Sequence, residues 1–140
     1  MKGYLIDTSA LYPLVLRLRH RVAEYSGVLR ALDLTLYEVG NVVWKEYRSG
    51  RIRDLDAVLS MFSEVLSWIE VDEVGPGDLG EVARLAVDRG VTFYDASYIY
   101  VAERRGYKLV TLDSDVLERC GRAVTLEQML EELGVGEGES

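Results

Sequence analysis

The sequence predicts a three-layer α/β domain, with a mostly parallel sheet between two layers of helices. Short apolar segments with strand character alternate along the chain with amphipathic segments of helical spacing. This alternation implies parallel pairing, because each helix returns the chain to the same end of the sheet. With 140 residues, 49% of them hydrophobic, the chain can bury one sizeable core but is short for two.

The elements follow one another with few residues between them. The predicted strands are residues 4–6, 31–34, 69–74, 107–112 and 123–124. The predicted helices cover the apolar run 10–16, then 39–47, 54–68, 78–89, 92–105 and 116–119, with a final helix capped by Thr125.

The domain is expected to span residues 1–133, and the glycine- and acid-rich stretch 134–140 is expected to be a flexible tail. Charges interrupt every apolar stretch well before the roughly 20 residues needed to cross a bilayer. Asp7 also comes too early for a signal peptide. We therefore expect a soluble, cytoplasmic protein. The lone cysteine, Cys120, is assigned to core packing.

The net charge of -8 at first argues against a nucleic-acid partner, because phosphate contacts require lysine and arginine. The charge is unevenly distributed, however. Residues 1–53 carry nine basic and five acidic groups, whereas residues 54–140 carry seven basic and nineteen acidic ones. This asymmetry allows a local basic surface beside a strongly acidic remainder.

Four acids fall where predicted strands end or where the following helices begin: Asp7, Glu38, Asp95 and Asp113. The carboxyl ends of parallel strands meet at one edge of the sheet, where ligands of such folds bind. Four ionised carboxylates at this edge would repel one another without a counter-charge. Mg²⁺ and Mn²⁺ prefer oxygen ligands, and such sites activate water for displacement at phosphorus.

Each acid also has a simpler interpretation as a helix cap or turn residue. Glu38 and Asp95 each lie three residues after a threonine, which is the spacing of a capping box. Asp7 could cap the helix that follows it, Asp113 could be a turn acid, and Asp115 fits the N-cap of the short helix better. Spacing alone leaves a shared metal site and separate caps equally open.

Four segments together resemble the PIN-domain family, and within it the VapC-type toxins of bacterial and archaeal toxin-antitoxin pairs. Their order and intervals carry a resemblance that spans nearly the whole chain. The segments are YLIDTSAL at 4–11, LTLYEVGNV at 34–42, YDASY at 94–98 and LVTLD at 109–113. Two features depart from the family pattern: Tyr12 and Pro13 put the regularity of the first helix in question, and the acidic tail is extra.

The resemblance implies a five-stranded parallel sheet, homodimerisation and endonucleolytic cleavage of RNA that depends on Mg²⁺ or Mn²⁺. It also implies a cognate antitoxin whose basic residues reach into the acidic cleft. By this likeness the metal ligands and catalytic residues are Asp7, Glu38, Asp95 and Asp113, with Asp115 as an additional acid at the edge. Ser9 or Thr111 would orient a ligand or a water.

Three other function classes compete with this prediction. A receiver-like signalling domain would need a second acid after the first strand and a central phosphate-accepting aspartate, whereas this chain has Thr8-Ser9 and no such aspartate. A non-catalytic PIN-like binding module usually lacks the acids, which are all present here. A housekeeping RNA-processing nuclease of the same fold remains an alternative to a toxin.

Two basic clusters and several aromatic residues complete the candidates. The first cluster is Arg17, Arg19, His20 and Arg21, and the second is Lys45, Arg48, Arg51 and Arg53. Either cluster could guide RNA phosphates, although such groups more commonly form solvated surface. His20 is expected to have a surface role. Core or dimer packing is expected for Trp44, Tyr47, Trp68, Tyr98 and Tyr100.

Overall fold

The computed structural model describes residues 3–135. Its strands are β1 (Tyr4–Ile6), β2 (Leu29–Leu32), β3 (Glu70–Asp72), β4 (Lys108–Val110) and β5 (Ala123–Val124). Its α-helices are α1 (Thr8–Leu18), α2 (Asp33–Arg48), α3 (Leu55–Trp68), α4 (Leu79–Arg89), α5 (Phe93–Arg105), α6 (Ser114–Arg119) and α7 (Leu126–Leu133). Two 3-10 segments complete the order, Arg19–Val28 and Pro76–Asp78.

The five strands form one parallel sheet in the order β3-β2-β1-β4-β5. The central strand, β1, pairs with β2 on one side and with β4 on the other. The chain thus leaves β1 in one direction and later returns to its opposite side. In open α/β sheets, this reversal of strand order opens a crevice outside the carboxyl ends of the strands.

Two hydrophobic cores lie on opposite faces of the sheet, as the alternation of side chains along a strand requires. Tyr4 and Ile6 of β1 pack with residues of α1, α2, α3 and α7 in one core. Leu5, between them, packs with residues of α4, α5 and α6 in the other. The predicted three-layer architecture and parallel sheet are therefore confirmed.

One strand was predicted with the wrong bounds, whereas the first helix keeps its regularity. β2 was predicted at 31–34 but spans Leu29–Leu32, because α2 begins already at Asp33, whose negative charge is favourable in the first turn of a helix. α1 continues through Pro13, although proline removes one hydrogen bond from the ladder. In residues 3–135, no helix combines the length and hydrophobicity required to cross a membrane.

The end of α7 bears on the predicted tail. Gly134 caps this helix in the left-handed conformation, and Val135 packs against the core and donates from its backbone nitrogen to the Leu130 carbonyl at 2.9 Å. Residues 136–140 of the predicted tail lie outside the described residues.

Candidate metal centre

The four predicted acids follow from the way each element leaves the sheet. Asp7 directly follows β1, and Asp113 lies three residues after β4. Glu38 is in the second turn of α2, the helix that starts where β2 ends. Asp95 is in the first turn of α5. The acids after β1 and β4 stand on the two sides of the crevice opened by the reversal of strand order.

Asp7 is the most buried of the four, with 7% of its surface exposed. Its Oδ1 accepts hydrogen bonds from the Ser9 hydroxyl at 2.6 Å and from the Ala10 backbone nitrogen at 3.2 Å, so it also caps α1. Burial raises the pKa of Asp7 to about 6, and the negative charge of Asp95 adds to the shift against these hydrogen bonds and one from Thr111. Capping therefore describes only part of the environment of Asp7.

Ser9 and Thr111 connect the turn after β1 to the loop after β4. Their hydroxyl oxygens are 3.4 Å apart. The Ser9 oxygen accepts from the Leu112 backbone nitrogen at 2.9 Å, and the Thr111 oxygen accepts from that of Asp113 at 3.1 Å. The two residues named in the sequence as supporting groups thus hold the loops that carry Asp7 and Asp113 together.

Glu38 does not act as a cap, so the capping-box interpretation of Thr35 and Glu38 was wrong. Because α2 begins at Asp33, Thr35 lies inside the first turn, where its hydroxyl accepts from the Leu32 backbone nitrogen at 3.1 Å. Glu38 Oε1 instead accepts from the Thr8 hydroxyl at 2.9 Å and from the Tyr98 hydroxyl at 2.7 Å.

Asp95 is the acid around which the others are arranged. Its backbone nitrogen donates to the Thr92 hydroxyl at 3.1 Å, which makes Thr92 the cap of α5. The Asp95 carboxylate is half-buried, and burial raises its pKa. The negative charges of Asp113, Glu38 and Asp115 raise this pKa further, whereas a hydrogen bond from Thr92 lowers it. The edge of the sheet thus brings the predicted acids into electrostatic contact.

Asp113 is the N-cap of α6, and the alternative that gave this role to Asp115 was wrong. The Asp113 Oδ1 accepts from the backbone nitrogens of Asp115 at 2.8 Å and Val116 at 3.3 Å. Asp115 lies exposed in the first turn of α6, and its carboxylate is 3.4 Å from the Arg119 guanidinium. Asp115 is therefore at the rim of the acidic cluster.

The basic side chains of the described residues do not pair with the four predicted acids. Within residues 3–135, no lysine, arginine or histidine nitrogen lies within 4.0 Å of a carboxylate oxygen of the four acids. In the same range, no three acid, histidine or cysteine side chains are spaced to close around an ion as they stand. The acids form an open group of oxygen donors, the ligand type that hard divalent cations prefer.

The basic clusters lie at the far ends of the helices that begin at this edge. Arg17 follows Asp7 by ten residues and Arg48 follows Glu38 by ten, which corresponds to about 15 Å along a helix. Arg17 pairs with Glu127 at 2.9 Å, and the Arg48 guanidinium lies 5.1 Å from the ring centre of Trp44. A role for either cluster in RNA binding stays a prediction.

The remaining sequence assignments have mixed outcomes. Tyr98 and Tyr100 are buried as expected, and so is Cys120. Trp44 and Tyr47 are 51% and 46% exposed, so core packing was wrong for these two residues, whereas dimer packing stays a prediction. His20 is exposed beside Glu64, as predicted, and Trp68 packs against the first core. The contact of the Tyr98 hydroxyl with Glu38 was not predicted from the sequence.

Comparisons with known proteins agree with this architecture. The family model described as PIN domain matches residues 4–122. The chain is 46% identical over 127 residues to Exonuclease VapC9 of Pyrobaculum aerophilum, covering 91% of this chain and 92% of the relative. It is 36% identical over 107 residues to Ribonuclease VapC3 of the same organism, covering 75% of this chain and 81% of the relative.

A solved structure shows the same fold. The crystal structure of PAE2754 from Pyrobaculum aerophilum matches with a TM-score of 0.86 and 44% sequence identity, covering 96% of this chain and 90% of that one. The family model, the relatives and the solved fold agree over most of the chain. The protein therefore belongs to the PIN domain family, in which it is similar to VapC proteins.

Proposed function

We propose that this protein is a Mg²⁺- or Mn²⁺-dependent endoribonuclease whose metal ligands are Asp7, Glu38, Asp95 and Asp113. The observation that carries the proposal is the acidic edge of the sheet. Burial and neighbouring acids raise the pKa values of Asp7 and Asp95, while no described basic side chain pairs with the four acids. A divalent cation would supply the missing counter-charge.

The chemistry follows from this donor set. When bound, one or two such ions lower the pKa of water and neutralise charge on the scissile phosphate. The side chains of the protein hold the carboxylates in place for this work. Ser9 donates to Asp7 at 2.6 Å, and Thr8 and Tyr98 donate to Glu38 at 2.9 and 2.7 Å. Asp115 contributes negative charge at the rim.

The names of the two relatives support RNA as the substrate, but they leave open whether cleavage is endonucleolytic or exonucleolytic. One relative is called a ribonuclease and the other an exonuclease. Exonucleolytic cleavage is therefore the second candidate activity. The substrate itself would place this activity in the cytoplasm.

Partners are proposed on the same basis. The VapC names of the relatives support a VapBC-type toxin with a cognate antitoxin, whose basic residues would neutralise the acidic edge. Homodimerisation is supported by large exposed apolar side chains on α2 and on the first turns of α4 and α5: Leu36, Tyr37, Leu79 and Tyr94. A housekeeping nuclease would have no short basic protein in a stoichiometric complex with it.

The test is cleavage of labelled RNA in linear and circular form, with Mn²⁺ or Mg²⁺ and with a chelator. We expect both forms to be cut in the presence of the ion and neither with chelator. Cleavage of the linear form alone would establish an exonuclease. Cleavage that continues in chelator, or no cleavage of either RNA, would contradict the proposed metal-dependent activity.

A further inference from the structure

Tyr98 makes the shortest hydrogen bond to Glu38. Its hydroxyl donates to Glu38 Oε1 at 2.7 Å and lies 2.7 Å from the Thr35 hydroxyl oxygen. The Tyr98 side chain is buried on α5, whereas Glu38 and Thr35 are on α2. A buried phenol between two helices thus touches one of the acids of the candidate metal centre.

The number of hydroxyl protons fixes the direction of these hydrogen bonds. The single Tyr98 hydroxyl proton goes to Glu38, so the oxygen of Tyr98 must accept the proton of Thr35. Thr35 in turn accepts from the Leu32 backbone nitrogen at 3.1 Å. The chain of donors runs from the end of β2 through two hydroxyls to Glu38, and every hydroxyl in it donates once and accepts once.

A second donor reaches the same carboxylate oxygen from α1. The Thr8 hydroxyl donates to Glu38 Oε1 at 2.9 Å. Both donors therefore act on Oε1, and no hydrogen bond from residues 3–135 reaches Oε2. Donors to a carboxylate favour its ionised form and fix its orientation. This arrangement holds one oxygen of Glu38 and leaves the other without a protein donor.

Tyr98 also links Glu38 to Asp95. Residues three apart on a helix lie on the same face, so Asp95 and Tyr98 occupy one face of α5. The contact between Tyr98 and Glu38 therefore fixes the distance between the helix that carries Asp95 and the helix that carries Glu38. A chain of hydrogen bonds of this kind resembles the outer partners that orient metal ligands in other proteins.

We propose that Tyr98 is a positioning residue that holds the carboxylate of Glu38 in a fixed orientation for the divalent cation, with Thr35 as the donor behind it. The inference rests on the proposed metal-dependent function and assigns a role within that site. It differs from core packing, because packing needs the ring of Tyr98 and positioning needs its hydroxyl.

The experiment separates these two roles with Mn²⁺ as the probe. Tyr98→Phe keeps the ring and removes the hydroxyl, and its Mn²⁺ affinity is measured by calorimetry beside its unfolding midpoint. We expect affinity to fall roughly 10- to 100-fold, the usual effect of losing an outer partner of a ligand. Tyr100→Phe is the matched control, because its hydroxyl is two residues along α5 and donates to Asp78 at 2.9 Å. Its Mn²⁺ affinity should stay unchanged.

A double variant tests whether Tyr98 acts through Glu38. In a Glu38→Gln background, Tyr98→Phe should cause little further loss, because the ionised acceptor is already absent. Thr35→Val should weaken Mn²⁺ binding less than Tyr98→Phe does, and Thr35→Ser should restore it.

Three results would overturn the inference. The first is Tyr98→Phe binding Mn²⁺ like the unmodified chain. The second is an equal loss on Tyr98→Phe with and without the Glu38 carboxylate, which would indicate a general structural effect. The third is an unmodified chain that binds no Mn²⁺, a result that would reject the metal site together with the positioning role, whereas the first two leave the metal site standing.

Discussion

Asp7 and Asp72 lie at the carboxyl ends of strands of the same sheet and are almost equally buried, with 7% and 5% of their surfaces exposed. Their partners differ. Asp72 accepts from the Arg30 guanidinium at 2.9 and 3.1 Å and has Arg105 at 3.7 Å. Asp7 accepts only from hydroxyl and amide groups among the described residues. Arginine side chains pair with the buried Asp72, whereas no arginine of residues 3–135 pairs with Asp7.

The paired acid joins three elements of the sheet region. Arg30 of β2 and Asp72 of β3 are diagonal neighbours, since Arg30 is in register with Glu70 and Asp72 with Leu32. Arg105 reaches Asp72 from the end of α5. Among residues 3–135, no basic side chain forms such a link with the four acids of the crevice, where the proposed divalent cation would supply the counter-charge. The difference predicts that substitutions at the two places will affect different properties.

The largest effect is expected on catalysis from Asp95→Asn. Asp95 lies among the other acids, so loss of its charge should lower metal-dependent RNA cleavage more than about 100-fold, because the ion supplies several kcal/mol of transition-state stabilisation. Cleavage rates of labelled RNA measure this. The exposed Asp88→Asn on α4 is the control and should cut RNA like the unmodified chain. Equal rates in the two variants would refute the role of Asp95.

The next effect is expected on stability from Asp72→Ala. Removing one partner of a buried ion pair leaves the other without its counter-charge, and we expect a loss of about 3 kcal/mol in the free energy of unfolding. Urea denaturation at pH 7 measures it. Mn²⁺ affinity should not change, since Asp72 is outside the acidic cluster. A variant as stable as the unmodified chain would show that this pair is not the structural link inferred here.

Asp7→Asn should raise the free energy of unfolding, whereas Asp72→Ala should lower it. The pKa of Asp7 rises from 3.8 to about 6 on folding, so its contribution to stability is complete below pH 3.8 and is lost as the pH rises through 6. In chelator at pH 7, Asp7→Asn should therefore be more stable than the unmodified chain by about 2–3 kcal/mol, and asparagine can still cap α1.

Urea denaturation of the metal-free protein at pH 4 and pH 7 tests the Asp7 contribution, because protonation of Asp7 towards pH 4 removes the charge that the variant lacks. The advantage of Asp7→Asn should shrink towards pH 4. A variant that is less stable at pH 7 would contradict the view that the crevice holds an acid at a cost in stability.

The smallest effect is expected from Arg104→Gln. The Arg104 guanidinium is 3.0 Å from the Asp78 carboxylate, but its side chain is 63% exposed, and exposed ion pairs contribute little. We expect an unchanged thermal unfolding midpoint and unchanged Mn²⁺ affinity. A clear fall in the midpoint would show that exposed ion pairs also stabilise this protein, and it would contradict the view that only the buried pair of Arg30 and Asp72 does so.

Sequence reasoning located the acids better than their local contacts. Asp7 directly follows β1 and Asp113 lies three residues after β4, and parallel strands deliver such residues to one edge of the sheet whatever the exact strand bounds. The alternative interpretation of Glu38 as a capping residue required α2 to start at Thr35. The helix begins two residues earlier, at Asp33, and this shift places the threonine inside the first turn.

The role of Tyr98 could not be read from the sequence, because its partners come from α1 and α2, which are distant along the chain. The one available signal was its position three residues after Asp95, on the same face of α5. For Trp44 and Tyr47, core packing was wrong and dimer packing stays untested. Their helical spacing suggested packing, but the apolar face of α2 that meets the core is formed by Val39 and Val43.

The central claim is that the acidic edge takes a divalent cation because no basic side chain of residues 3–135 provides a counter-charge to the four acids. Calorimetric titration with Mn²⁺ of the unmodified chain, Asp7→Asn and Asp95→Asn tests it most directly, with Asp88→Asn as the control. The account predicts that the unmodified chain and the control bind Mn²⁺ and that the two crevice variants lose this binding. An unmodified chain that binds no Mn²⁺, or crevice variants that bind it equally well, would contradict the account.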